Sequence, residues 1–122
     1  MKTRLLLAAA AAAILHCAGA AAQAWPAKPP RVVVPFPPGG PTDIVARIVA
    51  QKLGERLAQS MVIENRGGAG GTLGAAQAAK AAPDGYTLPI APTSTHVVGP
   101  SVYTKHEYDP IKDFAPISLI AV

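Results

Sequence analysis

The chain has 122 residues, of which 50% are hydrophobic, and a formal net charge of +4 at pH 7. Lys2 and Arg4 supply part of that charge, so the chain from Trp25 onward carries a net charge of only about +2. It has no run of basic residues and no interleaving of basic and aromatic residues, which argues against nucleic acid as a partner. The roughly 98 residues from Trp25 onward are enough for one small domain with one core.

The N-terminus has the pattern of a secretory signal peptide. A basic start is followed by the uninterrupted apolar run Leu5–Leu15 and then by small residues. The apolar run has about eleven residues, whereas a membrane-spanning helix needs roughly 20. Ala-x-Ala sites place the cleavage after Ala22 or after Ala24. We therefore predict that residues 1–24 are a cleaved signal peptide and that the mature protein is periplasmic.

Cys17 raises the alternative of a lipoprotein signal, in which the cysteine becomes the lipidated first residue. That processing requires a small residue just before the cysteine, and here the residue is His16. If cleavage falls later, the only cysteine leaves with the signal. The mature chain then has neither a disulfide nor thiolate chemistry.

The first elements of the mature chain read as strand, loop and helix. Arg31–Pro35 contains a short β-branched run without alternation, typical of a strand that is covered on both faces of a parallel sheet. Phe36–Pro41 is a stiff loop of proline and glycine, after which Thr42 and Asp43 offer helix-capping side chains. The predicted helix has about four turns, and its apolar positions at helical spacing are Val45, Ile48, Val49, Leu53 and Leu57.

The next segments repeat this alternation. Met61–Glu64 is predicted to be a second strand, and Asn65–Gly71 a glycine-dense loop. Thr72–Ala82 is predicted to be an alanine-rich helix, with Leu73 as its one large apolar anchor. Pro83–Gly85 has the residue types of a tight turn.

A third strand is predicted over Tyr86–Ala91, although Pro89 cannot donate to a sheet ladder. Strand, helix, strand, helix and strand in this order form a βαβαβ unit, which winds right-handed around a parallel sheet. The fold class is therefore α/β.

The last third of the chain is less regular. His96–Tyr103 is predicted to hold a short helical turn that is broken at Gly99–Pro100, and Tyr108–Phe114 to be a loop shaped by its aspartates. Ile117–Val122 reads as a fourth strand. Because the chain ends within that apolar segment, we expect a truncated product.

The predicted topology also indicates where a ligand binds. In an open parallel sheet, ligands bind beyond the carboxyl ends of the strands, where the strand order reverses. For the order 2-1-3, that position lies between the loops after the first and third strands. The backbone N–H groups of residues 40–43 lie at a helix start, which favours an anion such as a carboxylate. The candidate binding residues are Phe36, Gly39, Gly40, Thr42, Asp43, Thr93, Ser94, Thr95 and His96.

For several of these residues, a structural role is an alternative to contact with the ligand. A carboxylate at an anion site repels the ligand, so for Asp43 we favour a role in capping the helix or holding the loop. Phe36 is equally consistent with a wall of the site and with a core contact. The side chains of residues 93–96 are suitable donors, or alternatively parts of a solvated loop.

Other chemistries find little support in the sequence. The glycine-rich loop lacks the Lys-Ser/Thr of a P-loop, and Leu73 occupies the third glycine position of a dinucleotide fingerprint, so close helix–strand packing is favoured. Ser94 and His96 lack a nucleophile elbow and an orienting acid. Two scattered histidines do not form a metal site. We predict no catalytic residue, no metal and no cofactor.

Taken together, the motifs resemble a known family: the tripartite tricarboxylate transporter solute-binding proteins, also called the Bug family. The matching motifs run in order along the mature chain. They are Trp25-Pro26-x-Lys28-Pro29, Val33-Val34-Pro35-Phe36-Pro37-Pro38-Gly39-Gly40-x-Thr42-Asp43, Val62-Ile63-Glu64-Asn65-Arg66-x-Gly68-Ala69-Gly70-Gly71-x-x-Gly74, Ala79-Lys80-Ala81-x-Pro83-Asp84-Gly85-Tyr86-Thr87-Leu88 and Tyr108-Asp109-Pro110-x-Lys112-Asp113-Phe114-x-Pro116. The sequence departs from the family at Pro89, where an apolar residue is usual, and at Gly99, where Asn is frequent.

The resemblance implies a periplasmic binding protein with two α/β lobes that close on a small organic anion, of the di- or tricarboxylate or amino acid type. It also implies delivery to membrane transporter subunits, by a protein that we expect to be a monomer. Since family members are more than twice as long, residues 25–122 are expected to be an incomplete first lobe. The alternative is an extracytoplasmic sensing component that presents its ligand to a sensor partner.

Overall fold

The computed structural model describes residues 25–104 and 107–121, so the predicted signal peptide lies outside the described residues. Three parallel strands form one sheet in the order β2-β1-β3. The strands are β1 (Arg31–Val34), β2 (Val62–Asn65) and β3 (Thr87–Pro89). This arrangement confirms the predicted α/β fold and the predicted strand order.

The helices follow the strands in the predicted alternation. Helix α1 (Pro41–Leu57) connects β1 to β2 and contacts both strands, and α2 (Thr72–Ala79) connects β2 to β3 and contacts β1 and β3. A 3₁₀ turn (Ala69–Gly71) precedes α2, and a π-helical turn (Ser94–Val98) leads into the short helix α3 (Gly99–Val102). None of the described helices combines the length and apolarity that crossing a bilayer requires.

The core lies around β1, the central strand. Val32 and Val34 are buried against Ala46 and Ala50 of α1. Val33 is also buried, and side chains alternate along a strand, so it faces the opposite side of the sheet. Burial on both faces explains why this strand reads as a continuous valine run.

The most buried residues of helix α1 lie beside the predicted apolar positions and are smaller. Its fully buried residues are Asp43, Ala46 and Ala50, whereas Val45, Val49, Leu53 and Leu57 are half-buried and Ile48 is 58% exposed. Small side chains let the helix approach the sheet closely, so the helix packs on its alanines. The predicted start was also wrong, because Gly40 is the N-cap and Pro41 the first helical residue.

Helix α2 likewise packs through small residues. Leu73 is 56% exposed, so its prediction as the apolar anchor was wrong; Ala75 and Ala76 are buried instead. Gly74 is buried as well, and a Cβ atom there would come within 2.5 Å of the Arg66 carbonyl oxygen. The first turn of α2 lies against backbone at this point, which leaves no room for a large side chain.

Strand β3 forms despite Pro89. The N–H of Arg31 donates to the Tyr86 carbonyl at 2.8 Å, and the N–H of Ile90 donates to the Val33 carbonyl at 2.9 Å. Residues of β3 that bond to β1 alternate along the strand, so the nitrogen of Pro89 faces away from β1. No strand lies on that side among residues 25–104 and 107–121. The missing donor therefore removes no hydrogen bond from the sheet.

The segment after β3 is more helical than predicted. Gly99 has right-handed helical dihedrals and Pro100 lies in the first turn of α3, so Gly99–Pro100 does not break the helical path. A proline is tolerated there because the first-turn N–H groups have no partner within their own helix.

The predicted loop over Tyr108–Phe114 is confirmed. The carboxylate of Asp109 accepts from the N–H groups of Ile111 and Lys112 at 2.9 and 3.0 Å, and the carboxylate of Asp113 accepts from the N–H of Asp109 at 2.7 Å. The aspartates therefore shape this loop, as predicted.

The predicted fourth strand over Ile117–Val122 is wrong for residues 117–121, which the structure describes without a strand. Ile117 and Leu119 are largely exposed and pair with no strand in the described part of the chain. An apolar, β-branched composition alone does not make a strand, because the strand needs a neighbour for its backbone hydrogen bonds.

Candidate functional site

The loops that follow the three strands meet at Gly71. A Cβ atom at this position would come within 2.6 Å of Thr95 Cγ2, 3.1 Å of the Pro35 carbonyl oxygen and 3.2 Å of Phe36 Cζ. Gly71 also has a φ of +94°, which favours glycine. The glycine-rich loop therefore packs closely between the loops after β1 and β3, at the edge of the sheet where the sequence predicts the ligand.

The loop after β1 ends at the N-terminus of α1. Gly40 is the N-cap and has no side chain, and Pro41 has no N–H, so only Gly40, Thr42 and Asp43 carry backbone donors among residues 40–43. The N–H groups of Gly40, Thr42 and Asp43 make no hydrogen bond within the described residues. Three unpaired donors at the positive end of a 17-residue helix suit an anionic group.

A cavity of about 400 Å³ opens beside two of these donors, the N–H groups of Gly40 and Thr42. Its walls are mostly proline and aromatic carbon, and its lining residues are Phe36, Pro37, Pro38, Gly40, Pro41 and Thr42. The Phe36 ring is half-buried and contributes to a wall of the cavity while it also packs beside Gly71. Thr42 adds a hydroxyl to a lining that is otherwise mainly apolar.

Asp43 lies behind this loop and is 2% exposed. Its carboxylate accepts hydrogen bonds from Arg47 Nε, from the Gly39 N–H and from Asn65 Nδ2, each at 2.8 Å. These bonds hold the pKa of Asp43 far below its usual range, and the bond from Arg47 lowers it most. The ionised carboxylate is therefore paired with Arg47 inside the protein, and it fixes the loop through Gly39.

Among the candidates after β3, Thr93 and Ser94 are exposed, whereas Thr95 is fully buried. The Thr95 hydroxyl donates to the Pro92 carbonyl at 3.0 Å. The hydroxyl of Tyr108 donates to the Thr95 carbonyl at 2.6 Å, and burial raises the pKa of Tyr108, so this donor stays protonated. Thr95 therefore anchors the loop, and Thr93 and Ser94 are the side chains that this loop presents at the surface.

His96 packs into an aromatic cluster. Its ring centroid lies 4.7 Å from that of Phe114 and 6.1 Å from that of Tyr108. Nδ1 lies 2.8 Å from the Thr95 hydroxyl oxygen, and Nε2 is buried without a partner among the described residues. The Thr95 hydroxyl is thus shared between the Pro92 carbonyl and Nδ1 of His96. Burial lowers the pKa of His96, which keeps the ring neutral.

Asn65, Arg47 and Tyr108 shape the site, although the sequence analysis did not assign them a role in it. Arg47 could have been found from its spacing, since it lies four residues after Asp43 on the same helix. Asn65 ends β2, where a polar residue is ordinary, and its partners come from a distant loop. Tyr108 has no local signal, because its partner lies thirteen residues earlier in the chain.

The described residues contain no group of three or more His, Cys, Asp or Glu side chains that could hold a metal ion. In the same part of the chain, Ser94 and His96 share no hydrogen bond. What the site offers is backbone donors, hydroxyls and an apolar wall, which is the chemistry of binding a small solute.

Solved structures of periplasmic proteins share this fold. The chain is similar to the periplasmic binding protein BugD, with 44% sequence identity, a TM-score of 0.73, and coverage of 76% of this chain and 31% of BugD. It is also similar to MatC from Rhodopseudomonas palustris, solved with bound malate, with 46% identity, a TM-score of 0.76, and coverage of 79% and 33%.

Residues 45–122 match the family described as "Tripartite tricarboxylate transporter family receptor", and the chain belongs to this family. Protein BugT of Bordetella pertussis is 43% identical over 100 residues, which are 81% of this chain and 31% of BugT. The chain therefore spans about a third of the length of the relatives it matches.

Proposed function

We propose that this chain forms part of a receptor that captures a small organic anion, of the di- or tricarboxylate or amino acid type, for a tripartite tricarboxylate transporter. The observation that carries the proposal is the pair of unpaired N–H groups of Gly40 and Thr42, two residues that line a cavity of about 400 Å³ at the start of α1. A carboxylate is the group that such donors prefer.

The state of Asp43 supports the proposal. An unpaired carboxylate at this place would repel an anionic solute, but Arg47 Nε lies 2.8 Å from the Asp43 carboxylate. The two opposite charges offset each other, which reduces the repulsion that an anionic solute meets. The bound malate of the related protein MatC agrees with the same class of solute.

The proposed function also implies where the protein acts and which proteins it meets. We infer that residues 1–24 direct export and are removed, that the receptor acts in the periplasm, and that it delivers its solute unchanged to membrane transporter subunits. Sequencing the N-terminus of protein recovered from the periplasm tests the export step. A new N-terminus at Gln23 or Trp25 is expected, and an intact Met1 would contradict it.

Isothermal titration calorimetry tests the proposed ligand class. The probes are malate, the longer dicarboxylate adipate and the tricarboxylate citrate, with glucose as the neutral control and putrescine as the cationic control. We expect heat and saturation with at least one carboxylate and with neither control. Saturable binding of a control, together with no binding of any carboxylate, would refute the proposed class.

A further inference from the structure

The side chain of Asn65 connects both ends of the loop that carries the anion donors. Its Nδ2 donates to the Phe36 carbonyl at 3.0 Å, where the loop begins, and to the Asp43 carboxylate at 2.8 Å, where the loop passes into α1. Its Oδ1 accepts from Arg47 at 3.4 Å. The loop is therefore held from outside by a residue of the neighbouring strand β2.

The chemistry of these contacts requires an amide. A primary amide carries two N–H donors and one carbonyl acceptor, and all three are used here. An aspartate of the same size has no donor at neutral pH and would face the buried Asp43 carboxylate. An alanine would leave the Phe36 carbonyl and one side of Asp43 without partners.

Asp43 links the side chain of Asn65 to the backbone donors of the loop. Its Oδ1 is bonded to Asn65, and its Oδ2 accepts from the Gly39 N–H at 2.8 Å. The bond to Gly39 fixes the residue that immediately precedes Gly40, whose N–H is the first of the unpaired donors. A shift of the Asp43 carboxylate would therefore turn the donors away from a common target.

We propose that Asn65 is a positioning residue for anion capture: it orients the Asp43 carboxylate and the Phe36 carbonyl so that the unpaired N–H groups at the start of α1 converge. This inference rests on the proposed function, because it assumes that those groups receive the solute. Asn65 acts through the loop, without contact to the solute.

The first test compares three variants by calorimetry with the carboxylate that the parent chain binds among malate, adipate and citrate. Asn65→Ala is expected to weaken binding at least tenfold, and Asn65→Asp still more, since it places two carboxylates together. Gln77→Ala, which removes an exposed amide from α2, is the matched control and should bind like the parent. Parent-like binding by both Asn65 variants, confirmed as folded by circular dichroism, would overturn the proposal.

The second test uses pH, which a merely structural loss would not reproduce. Lowering the pH from about 8 to about 5 lets the two facing carboxylates of the Asn65→Asp variant share a proton, which restores one donor. Its affinity relative to the parent should therefore recover as the pH falls, while that of Asn65→Ala should not. The affinity of the parent is measured in the same buffers, so that the effect of ligand protonation on binding can be subtracted. Identical pH profiles for the two variants would contradict the assigned role.

A third measurement needs no ligand and separates this inference from the proposed function. Hydrogen exchange resolved by NMR should show faster exchange of the Gly39 N–H, by about tenfold or more, in Asn65→Ala. The sheet amides of Val62 and Ile90, bonded at 2.9 Å to their acceptors, should keep the parent rates. If the parent binds a control and no carboxylate, the proposed function fails, and Gly39 exchange still decides whether Asn65 holds the loop. Unchanged exchange at Gly39 would refute the positioning.

Discussion

The loops after β1 and β3 lie side by side at Gly71, but they are stabilised in different ways. The loop after β1 buries a charged side chain, Asp43, and exposes backbone N–H groups at the start of α1. The loop after β3 buries the neutral side chain of Thr95 and exposes the hydroxyls of Thr93 and Ser94.

This contrast separates two tasks within one site. Backbone donors have no side-chain freedom, so the loop after β1 is suited to holding a group that every solute of the class shares, such as a carboxylate. Side-chain hydroxyls vary in sequence at little structural cost, so the loop after β3 is suited to distinguishing one solute from another. The following predictions test this division.

The largest effect is expected at Gly40, through a matched pair of variants. Gly40→Pro removes the N–H, whereas Gly40→Ala keeps it; the φ of −78° suits both residues, and a Cβ atom would meet only the Pro37 carbonyl, at 3.8 Å. We expect Gly40→Pro to weaken carboxylate binding by tenfold or more, since a hydrogen bond to a charged group contributes about 1.5–3 kcal/mol. Gly40→Ala should stay close to the parent in calorimetry, and equal losses in the two variants would contradict a backbone donor.

Tyr108→Phe tests how the loop after β3 is held. It keeps the ring but leaves the Thr95 carbonyl without its donor at 2.6 Å. Urea denaturation should show a loss of about 1–2 kcal/mol in the free energy of unfolding, as for an orphaned buried acceptor. The control is Tyr103→Phe, whose hydroxyl makes no hydrogen bond within the described residues and which should change stability by less than about 0.5 kcal/mol.

The exposed hydroxyls should have smaller and solute-dependent effects. Thr93→Ala and Ser94→Ala each remove a hydroxyl from an exposed side chain. We expect losses of about 0.5–1.5 kcal/mol, and of different size for malate and for adipate. Equal losses for all solutes would indicate that this loop also binds the carboxylate that the solutes share. The distinction between the two loops would then not hold.

The smallest effect concerns pH and His96. Burial lowers the pKa of His96 in the folded state, whereas the pKa of this histidine in the unfolded chain is 6.5. The folded chain therefore binds a proton at His96 less readily than the unfolded chain does. The free energy of unfolding should therefore be unaffected by His96 above pH 6.5 and should decrease as the pH falls through and below that value. His96→Gln should reduce this slope in melting curves taken between about pH 7.5 and about pH 5. An unchanged slope would show that His96 does not contribute.

The fold could be predicted largely from local signals. The valine run of β1 and the turn Pro83–Gly85 have strong intrinsic preferences, and the alternation of strands and helices then gives the parallel sheet. The most buried residues of α1 could not be predicted from its large residues, because the close approach at Ala46 and Ala50 depends on the sheet. The predicted strand after Pro116 failed for a related reason, since pairing needs a neighbour that composition does not reveal.

The candidate site was predictable at the level of its loops and less so at the level of its side chains. Gly40 and Thr42 follow from the topology of a parallel sheet, which fixes where helix N-termini lie. The burial of Thr95 and the orientation of His96 depend on Tyr108 and Phe114, which are distant in sequence. Contact of the candidate residues with a solute stays a prediction, which the Gly40 and Ser94 variants address.

Pro89 has a consequence for how the protein meets other chains. The outer side of β3 lacks one backbone donor at the last position of the strand, so an added strand would leave one of its carbonyl groups unpaired there. This imperfection disfavours edge-to-edge association with the β3 side of another molecule, whereas β2, whose segment Val62–Asn65 has no proline, keeps every donor. A peptide that adds a strand to this sheet should therefore pair with β2 and not with β3.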